Sequence, residues 1–198
     1  MIFTNDTEEA LRAAVWLVNS AEDPETLETL DDEHRFLAEF PYSGRLDRDD
    51  AELAALRGIR PRLRSMLLAP RDDMAEHVNA ALAEARLTPR LVRHDETDWH
   101  LHAVADDRPL PERVLIETAM ALIDVIRADE GSRISICDDD TCAALALDLS
   151  RNRSKRFCSP TCTNRNAVAA YRARRAGAAS APRTGSSPEI RRIPDASS

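Results

Sequence analysis

Cys137, Cys142, Cys158 and Cys162 are all the cysteines this chain of 198 residues has, and they form two close pairs, C-x4-C and C-x3-C, separated by 15 residues. Zinc takes four ligands in a tetrahedron, with thiolate sulfurs at about 2.3 Å. A short loop lets one segment offer two sulfurs to one point, and the spacer is long enough for a hairpin that brings the second pair opposite the first. A site ligated by cysteine alone leaves no position for water, so one such ion per chain would be structural. Four thiolates around Zn²⁺ leave a formal charge of −2, which Lys155, Arg156 and Arg165 would offset while favouring deprotonated cysteines. The competing reading is buried thiols or two disulfides. The pairing and an expected cytosolic setting, where paired cysteines more often mean metal, favour zinc.

The next chemistry lies in the same stretch. Residues 149–175 carry Arg151, Arg153, Lys155, Arg156, Arg165, Arg172, Arg174 and Arg175 and no acid. The net charge of −8 hides this split: residues 131–198 hold 12 basic against six acidic side chains, leaving 15 against 29, or −14, for residues 1–130. A basic end on an acidic body suggests a polyanionic partner. Arginine suits bidentate contacts to phosphate or guanine, and Asn152 and Asn164 can bond base edges or phosphates. Seven residues apart, Arg165 and Arg172 share one side of a helix. The alternative is a solvated basic helix, or one docked on the chain's own acidic part.

The elements that must position these groups follow from periodicity. Apolar stripes predict helices over Thr7–Asn19, Asp49–Leu68, Asp72–Arg86 and Pro111–Arg127. Asp23-Pro24-Glu25 reads as a capping Asp with Pro at the first helical position, starting a helix that carries Leu27, Leu30, Phe36, Leu37 and Phe40. Gly58 and Pro61 predict a kink or split in the Asp49–Leu68 helix. Arg90–Arg93 and Trp99–Val104 read as two short strands around an Asp95–Asp98 turn. In the second strand Trp99 and Leu101 take the buried side, with His100 and His102 facing solvent. Within the cysteine spacer, Leu145, Leu147 and Leu149 alternate as a strand, residues 150–153 turn, and Lys155–Cys158 returns. Thr163–Arg175 reads as a helix and residues 177–198 as a flexible tail. The fold expected is mainly α with a small β-hairpin (α+β) over residues 1–130, then a small zinc-binding ββα-like module over residues 131–176.

Other chemistry is sparse. Asp138-Asp139-Asp140 reads as a solvated turn rather than a hard-cation site. No Gly-rich phosphate loop, nucleophile elbow or Ser/His/Asp arrangement appears, so an enzyme is not expected. No run approaches the roughly 20 apolar residues of a membrane span. The start of the chain has no basic and apolar signal segment, which makes a cytoplasmic protein, at the nucleoid when on DNA, the expectation.

LDLSRNRSKRFCSPTCTNRNAVAAYRARR resembles the CGNR zinc-finger module, with its Ser-Arg/Lys-Asn element, aromatic-Cys-Ser step, Cys-Gly-Asn-Arg and basic helix. Ser150-Arg151-Asn152, Phe157-Cys158-Ser159 and Cys162-Thr163-Asn164-Arg165 occupy those places, with Thr163 standing where the family has glycine. The resemblance implies four zinc ligands. The N-terminal region is similar to the ABATE domain that precedes this finger in stress-induced transcription regulators of actinobacteria and relatives. That likeness rests on Leu17-Val18-Asn19, Glu52–Arg57 and Asn79-Ala80-Ala81-Leu82. The combination implies a DNA-binding regulator whose N-terminal part senses a signal, such as a small-molecule effector, or forms a homodimer. The alternative is an adaptor that binds protein and not DNA.

Overall fold

Helix α1 (Asn5–Asn19) buries Leu11, Ala14, Leu17 and Val18, the stripe that its 3.6-residue period lays along one face. In the computed structural model, which describes residues 2–85, 87, 90–92 and 100–180 (100–102 and 176–180 by backbone alone), this face packs on α5 (Leu110–Arg127) and α3 (Asp50–Leu68). Helix α5 is the centre of the body: Leu110, Val114, Ile116, Ala119, Leu122 and Val125 are all buried. A hydrogen bond from Thr7 Oγ1 to Asp124 Oδ2, 2.7 Å, ties α1 to α5 across the core. Helix α4 (Arg71–Glu84) adds Met74, Val78 and Ala81 to the same core.

Two helices depart from expectation. Helix α2 (Leu30–Glu39) starts later than Asp23-Pro24-Glu25 suggested. Glu25 instead accepts a forked pair from Arg60 at 2.8 and 2.9 Å, and the Asp23–Pro24 peptide is cis. The true start is a capping box: Thr29 Oγ1 accepts from the Asp32 N–H, and Asp32 Oδ2 accepts from the Thr29 N–H at 2.8 Å. Helix α3 runs unbroken through Gly58 and Pro61, so the expected split does not occur. The hydrogen bond that Pro61 removes, on the order of 3 kcal/mol with its ring clash, is offset by burial of Leu56, Leu63, Met66 and Leu67 on the core face.

Strands β1 (Arg90–Val92) and β2 (His100–His102) pair antiparallel, with Leu91 opposite Leu101. The expected turn at 95–98, Arg93, Trp99 and the side chains of His100 and His102 lie outside the described residues. After α5 a single 3-10 turn (Gly131–Arg133) leads into β3 (Ile134–Ile136), which pairs antiparallel with β4 (Leu145–Leu147). Ile134, Leu145 and Leu147 join the same hydrophobic core as the helices, so this hairpin sits on the helical body through β3 against α3 and β4 against α1. Helix α6 spans Pro160–Ser180. It extends into the stretch expected to be tail, because Ala176, Ala178 and Ala179 are strong helix formers. The chain divides between Thr163 and Asn164 into two compact units.

Candidate metal centre

The first cysteine pair is built on the β3–β4 connection. Register sets Ile134 opposite Leu147 and Ile136 opposite Leu145, and the Cys137 N–H extends the ladder by donating to the Ala144 carbonyl at 2.8 Å. This corrects the expected pairing of Leu145–Leu149 with Lys155–Cys158. The partner strand is the short Ile-Ser-Ile before Cys137, whose alternation is too brief to stand out beside the leucines. Between the cysteines, Asp139 is buried, and its Oδ1 accepts from the Thr141 N–H (3.0 Å) and hydroxyl (2.7 Å). The Cys142 N–H donates to the Asp139 carbonyl at 2.8 Å. The acidic triplet is therefore a folded turn around Asp139, with only Asp138 and Asp140 exposed.

The second pair forms where a loop becomes a helix. Ser159 caps α6: its Oγ accepts from the Cys162 N–H at 3.3 Å and its carbonyl from the Thr163 N–H at 3.1 Å, with Pro160 at the first helical position. Cys162 thus lies in the first turn, at the positive end of the helix dipole. The Cys158 N–H points at Cys137 Sγ, 3.4 Å away, and joins the two pairs directly.

All four Sγ atoms lie within 4.8 Å of one another, with Cys142–Cys158 at 3.6 Å and Cys158–Cys162 at 3.7 Å. Four sulfurs at about 2.3 Å from a tetrahedral zinc stand roughly 3.8 Å apart, close to the two separations just given, so the set fits the ion. A disulfide needs about 2.05 Å, well short of these separations, and no two of the four cysteines are joined by one. Among the described residues no other group of three or more Cys, His, Asp or Glu donors could share one ion. Burial pushes the Cys142 and Cys158 thiols up, while the hydrogen bond with the Ser159 side chain holds Cys162 below the ordinary thiol value. Metal binding must therefore displace protons, most strongly from Cys158.

Around this centre, groups without an obvious motif do the positioning. Arg133, buried, donates to the carbonyls of Asp148 (2.9 Å) and Ser150 (3.0 Å) and to Glu130 Oε2 (2.7 Å). The Asp148 carboxylate accepts from the N–H groups of Ser150 and Lys155, both at 2.8 Å, and fixes the loop that leads to Cys158. Asp-Leu-Ser was the available signal for that turn. Asn19 at the end of α1 bonds both backbone groups of Leu145, and the Arg64 guanidinium on α3 donates to the Ala143 carbonyl at 2.7 Å. No local pattern marks Asn19 or Arg64, because their partners lie far along the chain.

The basic residues fall on two elements. Arg151, Asn152, Arg153, Lys155 and Arg156 are exposed on the loop after β4, in the first unit, not on a hairpin strand. Arg153 pairs with Glu130 at 2.7 Å and Arg156 with Asp138 at 2.5 Å. Asn164, Arg165, Arg172, Arg174 and Arg175 are exposed on α6 in the second unit, where the Arg175 guanidinium lies 5.9 Å from the Tyr171 ring centroid. Among the described residues no helix is long and apolar enough to cross a membrane.

Comparison with known families agrees with this layout. Residues 133–175 match the CGNR zinc finger, and residues 11–129 match ABATE, described as "Putative stress-induced transcription regulator". Both are regulatory or zinc-finger families rather than enzyme families. No curated protein matches the chain. With the CGNR match and the sulfur geometry together, the centre is that of one structural zinc ion. The ABATE match spans more than half of the sequence, and the chain belongs to that family, with a CGNR zinc finger following its ABATE region.

Proposed function

We propose that this protein is a DNA-binding transcription regulator, in which zinc holds a basic segment ready for phosphate and base contacts. One observation carries the reading: from 149 to 175 the chain has eight basic residues and no carboxylate, and all eight are exposed. Where Arg153 and Arg156 have carboxylate partners, those partners lie outside the segment, on Glu130 and Asp138. In this reading Cys137, Cys142, Cys158 and Cys162 hold the ion. Arg151, Asn152, Arg153, Lys155 and Arg156 on the loop, and Asn164, Arg165, Arg172, Arg174 and Arg175 on α6, meet DNA. The acidic helical part senses a stress signal or joins two copies, and the protein works at the nucleoid in the bacterial cytoplasm.

The test is binding to DNA recovered from a random pool, measured over a range of salt. Counterion release makes log K fall linearly with log salt, by about 0.9 for each phosphate neutralised. Changing Arg165 and Arg172 together to Ala should weaken binding and flatten that slope by roughly two contacts' worth, while zinc stays at one per chain. Absence of binding at low salt by the zinc-loaded protein would favour the adaptor reading instead.

A further inference from the structure

Inside the first unit lies a buried carboxyl group whose nearest polar neighbour is another carboxyl. Glu33, in the first turn of α2, is 0% exposed, and neither of its oxygens has a hydrogen-bond partner among the described residues. It shares a helix face with Phe36, three residues on, which is equally buried. Opposite it, on α3, stands a second carboxylate, Glu52, only 5% exposed. The two Glu52 oxygens accept from the backbone N–H groups of Asp47 (3.1 Å) and Arg48 (3.0 Å), bonds that suit an ionised carboxylate. Asp49, the cap of α3, adds a second negative charge on that side, and Arg48, exposed to solvent, is the opposing cation. On its own helix Asp32 is occupied by Thr29 and Arg35, and His34 is exposed.

A charge in this position would have neither water nor a donor and would face another charge. We propose that Glu33 is a proton-operated latch: α2 stays seated on α3 while Glu33 carries a proton, and ionisation of Glu33 against Glu52 loosens that seat. What the latch covers is an aromatic cluster. The Phe36 ring lies 5.2 Å from Trp16, 5.5 Å from Phe40 and 6.1 Å from Tyr42, centroid to centroid. Loosening α2 would bare these rings, so a rise in pH through neutrality becomes a signal that the helical body reads. This inference is independent of whether the protein binds DNA.

Burial, then the Glu52 carboxyl, push Glu33 from 4.5 up to about 7. A raised value means that stability from this group is full at low pH and is lost as pH climbs through about 7. Between pH 6 and 8 the opening of α2 should then become about tenfold easier. The experiment is hydrogen exchange of the full, zinc-loaded chain, corrected for the intrinsic pH dependence, with α4 amides as the internal reference. Wild type should lose about tenfold protection in α2 relative to α4 over that range, and Glu33→Gln should lose none. Glu117 on α5 is also raised to about 7 by burial, so α5 is no reference and the Glu33→Gln comparison is the deciding one. Equal loss in the variant, or a flat wild type, overturns the latch. Should the variant not fold, the carbon-13 signal of the Glu33 carboxyl in wild type decides: titration below pH 5 overturns the proposal, and titration near 7 supports it.

Discussion

The helical body and the segment that follows β4 hold their shape by different means. In the body, Leu11, Leu17, Phe36, Leu56, Leu63, Met66 and Leu122 are at most 1% exposed and share one core. From Leu149 to Arg175, Cys162 is the only fully buried residue described. Its neighbours are held by polar turns, a helix cap and the approach of four sulfurs. A region without a core needs another source of folding free energy, and a structural zinc site supplies roughly 10–16 kcal/mol on an apparent scale at neutral pH.

That contrast is tested most severely by removing the metal. Chelation, or Cys158→Ser, should unravel residues 148–162 while the helical signal of the body persists, as read by far-ultraviolet circular dichroism and backbone amide shifts. Zinc affinity should also fall as pH is lowered, because Cys142 and Cys158, both raised by burial, must give up protons to bind. Loss of the whole fold on chelation would show that the body depends on the metal as well.

The converse prediction strikes the body. Phe36→Ala removes the ring at the centre of the Trp16–Phe40–Tyr42 cluster and should cost about 3–5 kcal/mol in a denaturant titration. Zinc content should remain one per chain, since Phe36 is not among the groups that hold the cysteines. A loss of zinc would mean that the two regions fold as one.

The same contrast explains what could be read from the sequence. Helices α1, α3, α4 and α5 were legible because an apolar stripe repeats along each, and the cysteines because metal spacing is a local code. Other features were not legible. The start of α2 at Thr29 was hidden by Asp23-Pro24, which carries the same cap-and-proline signal without a helix behind it. The β3–β4 pairing was hidden because a three-residue strand has almost no period to detect. The Glu33–Glu52 pair was invisible because each residue resembles an ordinary helical surface glutamate, and only tertiary packing turns both inward. The Asn19 bonds to β4 share that property, being non-local and carried by a residue common on surfaces.

Asn19 also gives the mildest way to sharpen the comparison, because it ties α1 to the hairpin that carries the first cysteine pair. Its Nδ2 donates to the Leu145 carbonyl at 2.9 Å and its Oδ1 accepts from the Leu145 N–H at 2.6 Å, so the side-chain amide pairs with β4 as another strand would. Leu145 is 1% exposed, which leaves little water to replace either bond. Asn19→Ala should therefore cost about 2 kcal/mol, the scale of leaving buried polar groups unpaired. Asn19→Asp keeps the acceptor but sets a carboxylate oxygen against the Leu145 carbonyl, and should cost at least as much as Asn19→Ala. Measured side by side, denaturant stability and zinc affinity by competition with a chromophoric chelator separate the possible outcomes. A drop in both means that the body positions the first cysteine pair through Asn19. A drop in stability with unchanged zinc affinity means that the cysteine turn assembles around its metal whatever the hairpin behind it does.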